Sequence, residues 1–152
     1  MEYLKVVPCE DTDWIIFQNE VDHDALLNSE NSDLRSHRFA RVTLSSNDNR
    51  VGNSRTDFPW LGSHVLVLSA KAIIALKPIL ERNGVIVPIM MTSGEKLHIF
   101  RADIIDALII EKSNVTRFPS SGSIMRVTSE AIRANALMDK DLFRLPFRSS
   151  AT

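Results

Sequence analysis

Between Ser69 and Gly84 the chain carries a complete helix signal, with strand-like runs on both sides of it. Ser69 is a good N-cap, because its hydroxyl can accept from first-turn N–H groups that have no acceptor inside the helix. From Ala70 to about Arg82, the residues Ala72, Ile73, Leu76, Ile79 and Leu80 recur at i, i+3, i+4 spacing. Lys71, Lys77 and Glu81 take the opposite face, so the helix is amphipathic. Asn83-Gly84 predicts a left-handed C-cap, and Pro78, which cannot donate to the carbonyl of Ile74, predicts a kink. The apolar run His64–Leu68 reads as a buried strand before the helix. Val85–Met91 reads as a strand after it, with Pro88 placing that strand at a sheet edge or a bulge. Thr92-Ser93-Gly94-Glu95 is a hairpin turn and Lys96–Phe100 its return strand. A helix set among such strands must bury its apolar stripe on their sheet, which predicts an α+β fold.

The flanking segments add shorter pieces. Tyr3–Val7 and Trp14–Phe17, rich in β-branched and aromatic residues, read as strands, with a short helix within 19–33 and a weaker strand over His37–Leu44. Asp103–Ile110 reads as a short helix with Ile104, Ala107 and Leu108 inward. Val115–Phe118 and Ser123–Thr128 read as strands about the turn Pro119-Ser120-Ser121-Gly122. Ser129–Met138 reads as a last helix, packing Ala131, Ile132, Ala134 and Leu137, and Asp141–Leu145 as a closing strand. A chain of 152 residues fits one domain. The expectation is therefore a single α+β domain, residues 1–152, with a largely antiparallel sheet and two to four short helices.

Apolar residues at 44% and charged residues at 24% exclude a disordered class. No apolar run approaches the roughly 18 residues of a membrane span, so no membrane role is expected. Cys9 stands alone, which leaves no intrachain disulfide or cysteine-based metal site. Its neighbours Glu10 and Asp11 oppose thiolate formation. The first residues, Met1-Glu2-Tyr3-Leu4-Lys5, lack the pattern of a secretory signal, and a cytoplasmic location is expected. Charge is unevenly spread. Residues 1–34 hold nine acids against Lys5, a net of −8, while the remainder carries +7 for a whole-chain charge of −1. This acidic arm serves either as a solvated face or as a contact surface for a basic partner.

Phosphate-loop, dinucleotide, nucleophile-elbow and HExxH patterns are absent, and no catalytic residue, cofactor or metal site is assigned. His23, His37, His64 and His98 show no ligand spacing. Asp103 and Asp106 share a predicted helix face, where carboxylates near a helix start simply favour its dipole. Arg35, Arg38, Arg41, Arg50 and Arg55 lack the interleaved aromatics of a stacking platform, so no nucleic-acid partner is expected. Residues 45–55 are almost wholly polar loop chemistry, fitting either mobility or function.

From Asp57 onward the order of short blocks resembles a known family. The blocks are Asp57-Phe58-Pro59-Trp60-Leu61-Gly62-Ser63, Leu68-Ser69, Leu76-Lys77-Pro78-Ile79-Leu80-Glu81, Ile104-Ile105-Asp106-Ala107-Leu108, Val115-Thr116-Arg117-Phe118, Ile124-Met125-Arg126-Val127 and Leu142-Phe143-Arg144-Leu145-Pro146. Over about residues 57–146 this is similar to the eleventh immunity family of bacterial polymorphic-toxin systems. The resemblance implies a protein that neutralises a cognate toxin by binding it, with no cofactor and no catalysis. An inhibitor of a basic cleft must present carboxylates. Glu10, Asp11 and Asp13 cluster beside Trp14, and Asp22 and Asp24 follow, so this arm is the expected toxin contact, with Trp14 either an exposed anchor or a buried strand residue. Asn49, Arg50 and Arg55 of the polar loop form the second expected contact. A small enzyme or ligand-binding module with a dispersed site is the alternative.

Overall fold

A computed structural model of the chain describes residues 13–45, 56–61 and 65–146. The expected strand Tyr3–Val7, the residues 46–55 of the polar loop and His64 lie outside them. The described residues form an α+β structure in the order β1 (Ile15–Phe17), α1 (Glu20–Asn28), α2 (Asn31–Leu34), β2 (Val42–Leu44), β3 (Leu66–Ser69), α3 (Ala70–Asn83), β4 (Gly84–Met90), β5 (Lys96–Ala102), β6 (Asn114–Arg117) and β7 (Ile124–Ser129). Every strand pair is antiparallel: β1 with β2, β3 and β4 on either side of β5, and β6 with β7.

The central sheet is covered on both faces, as alternation along β5 requires. Phe100 and Ala102 point to one side, where Leu68, Ala72 and Leu80 complete a cluster beneath α3. Leu97 and Ile99 point to the other, joining Val67, Ile89 and Met91 with Ile15, Val42 and Leu26 of the β1–β2–α1 layer. Burying each large side chain of this kind contributes about 1.5–3 kcal/mol. Ser69 caps α3 as expected, accepting from the Ala72 N–H at 3.1 Å, and its own hydroxyl is held by Asp57 Oδ1 at 2.5 Å. Leu80 is fully buried and Ile73 and Leu76 partly so, whereas Ile79, expected inward, is exposed. The stripe that meets the sheet is narrower than the apolar face of the helix. Pro88 lies on β4, an edge strand, where its missing N–H costs no ladder bond.

Gly84 differs from expectation. Its backbone is extended, φ 171°, and it opens β4 directly instead of forming a left-handed cap. Glycine is required there for closeness, since an added Cβ would lie 2.2 Å from the Arg101 carbonyl oxygen and 2.8 Å from Phe100 Cε2.

Four further expectations are corrected. Asp103–Ile110 is not a helix; Ile104 and Leu108 make single bridges to Arg144 and Ile132. Four isoleucines in this stretch disfavour a helix, and Asp103 cannot cap because its carboxylate is engaged by Asn31 and Lys140. Ser129–Met138 is extended until a single 3-10 turn at Ala134–Leu137, whose N-cap Arg133 offers no side-chain acceptor. The strand expected at Asp141–Leu145 is reduced to the Ile104–Arg144 bridge, and that at His37–Leu44 to β2. Among the described residues no helix is long and apolar enough to cross a membrane.

Candidate partner-binding face

The segment 13–16 is fixed by backbone exchange with Trp60. Trp60 N–H donates to the Asp13 carbonyl at 2.6 Å and Ile15 N–H to the Trp60 carbonyl at 2.9 Å, while Ser45 N–H donates to the Trp14 carbonyl at 2.8 Å. With Ile15 turned into the core, strand alternation turns Trp14 and Ile16 outward, and they are 46% and 45% exposed. The Trp14 and Trp60 rings meet edge to face, their centroids 6.3 Å apart and their planes at 65°. Phe58, two residues before Trp60, is also exposed. Two tryptophans held by a backbone clamp, one of them half in solvent, form an aromatic platform on this side of the fold.

Among the described acids of residues 13–34, two of those expected at the contact surface are buried. Asp13 is only 8% exposed, and its carboxylate accepts from the Thr56 N–H at 3.2 Å. Asp22 is 4% exposed. It receives the Ala40 N–H at 2.7 Å and Asn19 Nδ2 at 3.1 Å, and lies 2.7 Å from His37 Nε2. Burial alone would raise the Asp22 carboxyl, but the hydrogen bonds from His37, Ala40 and Asn19 outweigh it and hold the pKa below the ordinary value. Both residues are therefore structural anchors with carboxylates spent inside the chain, which removes them from the expected contact surface. Asn19 caps α1 by accepting from the Asp22 N–H at 2.8 Å.

Asp24 is exposed on α1. Yet α1 packs Leu26 into the cluster that holds Ile15, so it lies against the β1 face opposite to Trp14. The structure thus separates Trp14 from Asp24. Glu10, Asp11, Asn49, Arg50 and Arg55 lie outside the described residues. Trp60 was missed by sequence reasoning as a surface residue; the available signal was its place after Pro59, in a turn rather than in an alternating strand.

Below this platform a small pocket of about 10 Å³, lined by Asp13, Ile15, Leu44, Thr56, Pro59 and Met91 among others, has room for about one water. Among the described residues no group of three or more His, Cys, Asp or Glu is placed to hold a metal ion.

The residues so placed form an aromatic face on an α+β scaffold. No family model matches this chain, and no curated protein matches it.

Proposed function

We propose that the chain is an immunity-type protein that neutralises a cognate bacterial toxin by stoichiometric binding in the cytoplasm, with no catalytic turnover. The observation that carries this reading is the exposed Trp14, seated against the partly buried Trp60 and on the same strand face as Ile16. Tryptophan is the residue type most enriched at binding hot spots, and a side chain already packed loses less entropy when covered. The block order over residues 57–146, which resembles the eleventh immunity family, supports the same reading, as does the −8 charge of residues 1–34. Glu10 and Asp11 precede the Trp14 strand directly and suit a basic toxin, steering encounter by long-range attraction.

Co-expression with a candidate toxin from the genes adjacent to this one tests the proposal. Survival of the host together with co-purification of a one-to-one complex is the expected result. Survival without a complex, or with a chemically altered toxin, would overturn stoichiometric binding in favour of an enzymatic neutraliser.

A further inference from the structure

At the Ala102 end of β5 two arginines are anchored on backbone carbonyls of one corner of the fold, Arg101 on Ser29 and Arg144 on Ala102. Arg101, on the sheet face that carries Ile99, is only 5% exposed. It donates from one Nη to the Ser29 carbonyl at 2.5 Å, and its Nε–H is buried without an acceptor. Arg144 is half-buried and donates from Nε to the Ala102 carbonyl at 2.7 Å. Both guanidiniums are thus held in place by neutral backbone oxygens. Among the described residues neither has a carboxylate oxygen within 4.0 Å.

The acids of this corner do not neutralise the pair at contact. Asp103 is committed to Asn31 Nδ2 at 3.0 Å and Lys140 Nζ at 3.3 Å. Glu30 is exposed and acts on both arginines only through space. Burial, and then the charge of Arg101, push the Arg144 guanidinium down to about 10, so it remains charged at neutral pH. Asn31, on the same corner, leaves its Oδ1 buried and unpartnered. A buried cation without a contact counter-charge is unfavourable, and a guanidinium with free N–H groups in a fixed fork is built to receive an oxyanion.

We infer that Arg101 and Arg144 form a binding site for a small oxyanion of the phosphate or carboxylate class, entering beside Arg144 and accepting from the free donors of both side chains. The ligand must be small, because Arg101 is too deeply covered for a macromolecular surface to reach. The site is separate from the aromatic face and does not depend on the toxin-binding reading.

Thermal unfolding of the full chain at pH 7, in phosphate, acetate or chloride at matched ionic strength, provides the test. A saturable rise in the midpoint with phosphate or acetate, absent with chloride, is expected, and the more effective anion identifies the preferred geometry. In Arg144→Gln the anion should bind at least about tenfold more weakly, the loss of one charge-assisted pair. Arg101→Lys, which keeps the charge but lacks the Nε donor, should also bind more weakly; should it fail to fold, Arg144→Gln decides. Identical responses to all three anions, or an undiminished phosphate response in folded Arg144→Gln, would overturn the site.

Discussion

Residues 70–102 and the two segments 103–112 and 130–146, which flank the β6–β7 hairpin, satisfy their backbones in largely opposite ways. In the first region most hydrogen bonds close between neighbours in sequence, α3 within itself and β4 with β5 across a tight turn at Gly94, φ 89°, and only the β3 edge of β5 closes at a distance. In the second they close at a distance. Ile105 N–H reaches the Arg144 carbonyl and Arg144 N–H the Asp103 carbonyl, at 2.8 and 2.9 Å, while Ile109 N–H reaches Ala131 and Arg133 N–H reaches Ala107, at 2.8 and 2.7 Å. Side chains repeat the contrast. Asp141, paired with Arg82, and Lys140, paired with Asp103, strap the later segment across the end of α3 and β5, and Leu142 supplies its apolar contact. Local closure makes a unit that stands on its own pattern, whereas distant closure makes one that depends on the first being in place.

The largest expected effect follows from the tightest point of the first region. Gly84→Val should destabilise the fold by about 4 kcal/mol or more, because its Cβ cannot avoid the β5 backbone. Chemical denaturation measures this directly, and a loss under about 1 kcal/mol would mean that α3 and β5 are not so closely joined.

The two regions should then separate on truncation. Leu80→Ala removes a side chain that is 1% exposed and should cost about 3 kcal/mol. Leu142→Ala, only partly buried, should cost about 1 kcal/mol, since less area returns to water. Hydrogen exchange adds the dynamic counterpart: amides of residues 103–110 and 141–145 should exchange before those of β5. Equal protection in both regions would erase the proposed dependence of one on the other.

A smaller effect belongs to His98 on β5. Burial holds its pKa below the ordinary histidine value, and its Nδ1 has no partner. The folded state therefore binds the proton less readily than the unfolded chain does. The stability this histidine contributes is complete above the unfolded pKa of about 6.5 and is lost as pH falls below it toward the folded value. His98→Gln should flatten the slope of stability against pH below about 6.5. An unchanged slope would mean that His98 does not carry the acid sensitivity just below that pH, where Asp22, whose lowered pKa acts only at more acid pH, does not contribute.

The same contrast explains what could be read from residues alone. The β3–α3–β4–β5 unit was legible because Ser69, the i, i+4 stripe through Ala72, Leu76 and Leu80, and the Ser93-Gly94 turn each act over a few residues. Ile104, Ala107 and Leu108 also recur at helical spacing, but their backbone partners lie near Ala131 and Arg144, and spacing carries no record of those. The branching of four isoleucines was the better guide there. On the candidate face, Trp14 was legible as an aromatic beside carboxylates. That Asp13 and Asp22 turn inward depended on Thr56, His37 and Ala40, contacts that charge counting does not contain. Trp60 became part of the face only through the clamp on Asp13 and Ile15.

The central claim is that the Trp14–Trp60 face is where a partner protein binds. It is tested most directly by titrating the toxin candidate recovered by co-expression into the wild-type chain and into Trp14→Ala, with circular dichroism confirming that the variant is folded. Loss of a hot-spot tryptophan should weaken binding by about 2 kcal/mol or more, roughly thirtyfold, with the change mainly in the dissociation rate. Affinity in folded Trp14→Ala equal to that of the wild type would contradict the assignment.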